Sequence, residues 1–441
     1  MRPIGVDLFA GVGGLSLGFE QAGFDVVAAV EYDSIHAAAH AFNFQQCATI
    51  ARSVVGLSGV EIRQAAGIGD RKVDVVFGGA PCQGFSLIGQ RALDDPRNRL
   101  VGEFVRIVRE LEADYFVFEN VKGLTLGAQR RFLDELIEAF AEANYNVRFP
   151  WKVLNAASYG APQDRERLIL LGARRGKNLP EYPEPLFGIP GARKHCSHLP
   201  LGPTCKDALS DLPDAELFPA LLESDSMPWL RWGKPSAYGL EMRCASKDAW
   251  HYGYRRKWNP DLLTASMRTE HTDISRRRFA ETQPGCAEPI SRFFKLPADG
   301  LSNTLRAGSD SARGAFTSPR PIHYRFPRCI TVREMARLHG FPDWFRFHQT
   351  KWHGARQIGN AVPPPLARSV AGQVLRAAGY KQLRPKAVLP LGDTRLLHMG
   401  MGEASDYWGI VVPIGPRNRK SGARKRKQEQ IEAQLQKERY G

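Results

Sequence analysis

The stretch GGAPCQGFSLIGQR, residues 78–91, sets Cys82 directly behind a proline and surrounds it with glycines. A structural thiol packs on any buried strand, so a thiol in so constrained a turn poses a choice between thiol chemistry and a packed core cysteine. Two further groups stand in comparable places. Glu119 and Asn120 end the apolar run ADYFVFENV, and Arg165 and Arg167 precede the apolar run in QDRERLILLGA. Residues two apart on an extended chain face the same side, so both guanidiniums aim into one site while Glu166 points away. Read alone, QDRER is better taken as a solvated charge cluster.

The elements that must hold these groups follow from the patterning. In IGVDLFAGVGGLSLGFEQAGFDVVAAVEYD, Ile4, Val6 and Leu8 lead into a glycine turn at Gly11, Gly13 and Gly14. Leu15, Leu17 and Phe19 then open a helix that stops near Gly23, and DVVAAVE reads as a second strand. Glycines let backbone approach a nucleotide, and Glu31, 20 residues after Gly11, stands where a carboxylate accepts from two ribose hydroxyls. The same turn also serves tight strand-to-helix packing with no ligand. VDVVFGG and ADYFVFENV read as parallel strands, so Cys82 and Glu119 fall at their carboxyl ends, where open α/β sheets place ligands.

Among 441 residues, 61 Lys and Arg face 46 Asp and Glu, a formal charge of +15. That balance points to a polyanion, nucleic acid first and a membrane surface second. The length suggests two domains with appendages. No apolar run approaches the roughly 18 residues needed to span a bilayer, and Asp7 comes too early for a secretory signal. A soluble, cytoplasmic protein is expected. Seven cysteines, an odd number in a chain this large, are expected to be reduced. His195, Cys196, His198 and Cys205 could supply four ligands, but their spacing fits no common zinc pattern, so a polar surface loop is expected and no metal.

From about residue 180 to 328 periodicity weakens, and aromatics alternate with basic residues in MPWLRWGKPSAYG and WHYGYRRKWNP. This reads as a loop-rich domain with a cationic aromatic surface for phosphates and bases. Trp229 and Trp250 fit a core as well. Arg276, Arg277 and Arg278 are better contact candidates. CITVREMARLHGFPDWF then predicts an amphipathic helix stopped by Gly340 and Pro342, and IGNAVPPPLARSVAGQVL a loop holding Asn360 before a helix.

Taken in order, these stretches resemble the DNA (cytosine-5)-methyltransferase family over most of residues 4–378. DLFAGVGG is similar to its S-adenosylmethionine loop, EYD to its ribose-binding acid, PCQGFS to its nucleophile loop and ENV to its acid loop. QDRER resembles its arginine pair, RCITVREMARLHGFPDWF its scaffold helix and IGNAVPP its returning cofactor loop. The resemblance implies an α/β fold, a Rossmann-like methyltransferase sheet with a smaller inserted target-recognition domain. It implies methyl transfer from S-adenosyl-L-methionine to C5 of a flipped-out cytosine in double-stranded DNA, with Cys82 adding to C6. Glu119 would protonate N3, with Arg167 at the O2 side and Arg165 supporting the same pocket. The cofactor would meet Asp7, Phe9, Gly11, Gly13, Gly14, Leu15, Glu31, Tyr32, Ser53, Pro81, Leu100, Asn360 and Val362. Gln83, Ser86 and Arg276 to Arg278 would meet DNA. The family usually has an acid facing the adenine amino group where this chain has Ser53, which puts cofactor affinity in doubt.

The expected organisation is a catalytic domain over 1–180, recognition over 181–350, a returning segment over 351–385 and an extension with a basic tail over 386–441. A monomer is expected, with a cognate restriction endonuclease as a possible functional partner. Alternatives are a tRNA cytosine-5 methyltransferase, against which the long insert argues, a catalytically dead DNA-binding module, and a dehydrogenase, which the PCQ set opposes.

Overall fold

The computed structural model describes residues 1–81, 98–126, 129–192, 198–309 and 317–411. Its first strand, β1 (Ile4–Leu8), is buried along its whole length, as the centre of a parallel sheet requires. Gly11 and Gly13 turn the chain at φ 56° and 100°, left-handed values that suit glycine, and α1 (Gly14–Ala22) follows, closed by Gly23. β2 (Asp25–Glu31), α2 (Ser34–Asn43), β3 (Ala48–Ala51), α3 (Gly59–Ala65), β4 (Val75–Gly78), α4 (Arg99–Glu110) and β5 (Tyr115–Val121) continue the alternation. After α5 (Gln129–Glu142) come β6 (Tyr145–Val147), β7 (Lys152–Asn155) and β8 (Glu166–Arg174).

These strands form one sheet in the order β3-β2-β1-β4-β5-β8-β6, with β7 also pairing β8. The pairs among β1 to β5 are parallel, whereas β8 runs antiparallel to β5. That reversal decides the site. It carries the amino end of β8, where the arginine pair lies, to the carboxyl ends of β4 and β5. The fold is the α/β sheet expected.

The second half is loop-rich, as its composition suggests. Between β8 and residue 330 the described regular elements are α6 (Cys205–Leu209), β9 (Met227–Pro228), α7 (Ala237–Met242), β10 (Arg255–Lys257), β11 (Leu262–Leu263), α8 (Asp273–Glu281) and two 3-10 turns. The aromatic and basic run WHYGYRRKWNP keeps Arg255 and Lys257 exposed but turns Arg256 and its tyrosines toward α1 and β2. Tyr252 donates its N–H to the Gln21 carbonyl, Tyr254 OH donates to Asp25 at 2.9 Å, and Arg256 forms a fully buried ion pair with Glu20 at 2.8 Å. Arg256 also lies over Trp344, on which Trp250 stacks at 5.9 Å between ring centroids. The stretch fastens the insert to the back of α1, and its basic residue at 256 is matched by an acid that patterning alone could not pair with it.

α9 (Val332–His339) starts with a Thr331 capping box and ends at Gly340, φ 87°, as expected. A helix, α10 (Lys351–Asn360), occupies the place where a loop is expected, because Thr350 caps it and Asn360 is its last residue. α11 (Pro364–Ala377) begins on prolines and lies against α1. Beyond it β12 (Val388–Pro390) pairs with β10, and α12 (Met401–Trp408) packs on α2. No described helix is long and apolar enough to cross a membrane.

Candidate active site

The paired glycines of GGAPC answer to two neighbours. A Cβ at Gly78 would lie 2.0 Å from the Leu8 carbonyl oxygen, and one at Gly79 would lie 2.4 Å from Glu119 Oε2. Glycine is therefore required for β4 to close on β1 and for the Glu119 side chain to turn inward. Asn120 Nδ2 donates to the Ala80 carbonyl at 3.0 Å, holding the strand end from which the cysteine loop departs. Cys82, Gln83 and Ser86 lie outside the described residues, as do His195 and Cys196.

Glu119 receives Arg167 Nε at 2.8 Å, with each side chain 12% exposed. The register produces this contact: Ile169 is opposite Glu119, so Arg167, two residues back on the same face, reaches it diagonally. Burial raises the Glu119 pKa, and Arg167, then Arg165, pull it back. Glu166 points outward to Lys122, as expected. Arg165 turns elsewhere. It is buried, donating to the carbonyls of Leu305 at 2.9 Å, Gly359 at 2.7 Å and Ala361 at 3.0 Å. It is a positioning residue that ties the insert and the returning segment to β8.

A cavity of about 760 Å3 opens along the carboxyl edge of the sheet. Of the expected cofactor residues, Phe9, Gly11, Gly14, Leu15, Glu31, Tyr32, Ser53, Pro81, Leu100, Asn360 and Val362 line it, together with Glu119. Glu31 accepts Gly11 N–H at 2.7 Å and Asp33 N–H at 2.8 Å, which fixes its carboxylate across the glycine turn. Phe9 adopts φ 59°, an unusual value for a bulky residue, at the start of that turn. Ser53 Oγ accepts from Val55 N–H at 3.2 Å, so its oxygen is partly committed to its own turn.

Asp7 and Gly13 take other places. Asp7 sits beneath the turn, fully buried, accepting from Ser16 Oγ at 2.6 Å. Burial pushes its carboxyl up to about 8. His40 lies 3.1 Å from the same hydroxyl and is pushed down to about 3 by burial. Gly13 packs on His40 and Phe44, where a Cβ would lie 2.4 Å from the Phe44 ring. Both support the turn from below.

Several lining residues were not legible in the patterning. Asp33, Arg52 and Arg356 bring charge to the cavity and His36 an imidazole, and Ala307, Gly308 and Ser309 come from the insert. His36 could have been found by its place five residues after Glu31; the insert residues could not, because nothing local marks their approach. Of the three arginines on α8, Arg276 pairs with Glu216 at 2.9 Å and Arg278 with Glu288 at 3.5 Å, leaving Arg277 exposed. The dense basic run is thus tied down at two of its three positions.

Parallel strands carrying a glycine turn, a ribose-type acid and an inward carboxylate define a methyltransferase-type α/β sheet and site. The family model for C-5 cytosine-specific DNA methylase matches residues 5–376, and the chain belongs to that family. It is a DNA cytosine-5 methyltransferase. The chain is 57% identical over 415 residues to Type II methyltransferase M.XorII of Xanthomonas oryzae pv. oryzae, covering 94% of each. It is 32% identical over 376 residues to Type II methyltransferase M1.HphI of Haemophilus parahaemolyticus, covering 84% of this chain and 86% of that one. Among solved structures, a candidate DNA modification methyltransferase encoded within an E. coli prophage superposes with TM-score 0.67 at 30% identity, over 86% of this chain and 100% of the other.

Proposed function

We propose that the chain transfers a methyl group from S-adenosyl-L-methionine to C5 of a cytosine flipped out of a specific double-stranded DNA sequence, through a covalent bond between Cys82 and C6. The observation that carries this reading is the meeting in one cavity of Glu31 and Glu119, the latter held by Arg167. A nucleoside cofactor and a base can then stand side by side. The residues fit the cofactor: Glu31 is an acid for a ribose diol, Gly11 leaves open space where a Cβ would point, and His36 Nε2 is buried without a hydrogen-bond partner among the described residues.

When bound, S-adenosylmethionine supplies a methyl on a sulfonium, an electrophile that C5 of an activated ring can take. The protein supplies the activation. The Cys82 thiolate forms a bond to C6 while Glu119 gives a proton to N3, which burial of its carboxyl favours. Arg167 holds Glu119 and faces the O2 side; Arg165 fixes the surrounding chain. After C5 is alkylated, a base removes its proton, the Cys82–C6 bond breaks to release the thiolate, and N3 returns its proton to Glu119, restoring the aromatic ring and the starting enzyme. Base extrusion is needed because C6 is covered in a stacked duplex. The names of M.XorII and M1.HphI as Type II methyltransferases support a role in restriction and modification; we further infer a monomer in the cytoplasm, with an endonuclease cutting the same site as its functional partner.

Incubation with duplex containing 5-fluorocytosine tests the mechanism, because fluorine blocks elimination. Wild type should form an adduct stable to denaturation, and Cys82→Ala should form none while losing at least about a thousandfold in methyl transfer. Turnover by Cys82→Ala above that level rules out the covalent route. Bisulfite sequencing of treated DNA identifies the site, and methylation of any other base would overturn the reading.

A further inference from the structure

We propose that His36 is a cofactor-positioning residue whose ring N–H hydrogen-bonds a ribose hydroxyl that Glu31 also holds. This rests on the reading of the cavity as an S-adenosylmethionine site. His36 is the third residue of α2, and Asp33 fixes that turn by accepting from the N–H groups of Ile35 at 3.0 Å and His36 at 3.2 Å. The residue is 4% exposed and lines the cavity, and Nε2 is buried with no hydrogen-bond partner among the described residues. A buried ring nitrogen left without a partner carries a desolvation penalty that a bound ligand removes.

The surroundings select what that ligand group must be. Across from α2, Arg356 of α10 also lines the cavity, and its guanidinium carries donors only. The acceptors nearby are the carboxylates of Glu31 and Asp33. His36 and Glu31 line the same cavity, yet His36 Nε2 makes no hydrogen bond to the carboxylate. A group able to stand between them must accept from the imidazole and donate to the carboxylate. A hydroxyl does both. Glu31 already uses one lone pair of each oxygen on Gly11 and Asp33, which leaves acceptor capacity for a diol. The bond from His36 would add cofactor affinity in a chain whose Ser53 oxygen, at the expected adenine-facing position, is engaged by Val55.

The test is calorimetric binding of S-adenosylhomocysteine and of its 2′-deoxy and 3′-deoxy analogues to the full chain, its His36→Ala variant and its His36→Gln variant. Wild type should bind one deoxy analogue at least about tenfold more weakly than the intact compound, the size of one hydrogen bond. His36→Ala should bind the intact compound about tenfold more weakly and lose most of that discrimination, while His36→Gln, which keeps an N–H donor, should stay within about threefold of wild type. If His36→Ala keeps the wild-type ratio between intact and deoxy compounds, the residue only packs and the proposal fails while the cavity reading stands. If wild type binds none of the three, the cavity reading fails and the proposal with it.

Discussion

Arg167 Nε meets Glu119 Oε1 at 2.8 Å although the two residues lie on antiparallel neighbouring strands, 48 positions apart. The contact sets the charge state of the carboxyl. Burial raises the Glu119 pKa above the ordinary carboxylate value, and the two guanidiniums, Arg167 before Arg165, return part of its acidity.

Removing that guanidinium has a pH signature. The Glu119 pKa in the folded protein is raised above its ordinary 4.5, so ionising it costs folded-state stability as pH rises through the folded value. Arg167→Ala raises that value further. The stability difference between wild type and variant should therefore be smallest near pH 5 and grow to about 3 kcal/mol at pH 8, read by urea denaturation at both. A difference that is the same at both pH values contradicts the coupling. On the proposed mechanism methyl transfer should fall with it, since Arg167 would be the donor at the O2 side of the base.

Most of the first sheet half was legible because β1, β2, β4 and β5 are short apolar runs with chemistry at or near their carboxyl ends: Leu8 before the glycine turn, Glu31, Gly78 and Glu119. The cavity edge follows from those ends. What the sequence concealed depends on pairing across distance. The antiparallel return of β8, the buried Arg256–Glu20 pair and the anchoring of Arg165 to residues 305, 359 and 361 are all set by partners more than 40 positions away. A basic residue reads as unpaired until its acid is located, and Arg276 and Arg278 have theirs in Glu216 and Glu288, far away in sequence or outside the helix.

Arg165 gives a second test. Its two terminal nitrogens satisfy three buried carbonyls on two chain segments, and a lysine, with one point of charge, cannot span them. Arg165→Lys should lower stability by about 3 kcal/mol, the cost of buried acceptors left unmade. Because Gly359 and Ala361 flank Asn360 at the cavity wall, S-adenosylhomocysteine affinity should fall in the same variant. Full affinity in a destabilised Arg165→Lys protein would mean that the returning segment holds its place without the anchor.

Two helix glycines make a paired prediction. A Cβ at Gly18 in α1 would lie 2.3 Å from the Ala367 Cβ of α11, whereas one at Gly372 within α11 would meet nothing within 4 Å. Alanine is the better helix former by about 1 kcal/mol at both positions. Gly372→Ala should therefore raise thermal stability slightly, and Gly18→Ala should lower it by about 2 kcal/mol through overpacking. Equal shifts of the melting temperature would show that α11 gives way to the added methyl.

The carboxyl-terminal extension separates into two parts that truncation should distinguish. In α12, Ser405 Oγ lies 3.1 Å from Ser34 Oγ and Trp408 Nε1 donates to the Ser34 carbonyl at 3.2 Å. Ahead of it, Gly392 N–H donates to the Phe42 carbonyl at 2.8 Å. These contacts clamp both ends of α2, whose cap, Asp33, follows Glu31 and Tyr32 at the cavity wall. A chain ending at 385 should lose thermal stability and bind S-adenosylhomocysteine more weakly. A chain ending at 411 should keep both. It lacks the segment 415–441, which holds nine Lys or Arg against three Glu and lies outside the described residues. If those cations contact phosphates, each contributes about 0.9 to the slope of log affinity against log salt, so the shorter chain should show a slope flatter by a few units. The methylated sequence should not change, because phosphate contacts carry no base information. An unchanged slope would leave the tail without a DNA role, and a changed target sequence would place it in base readout.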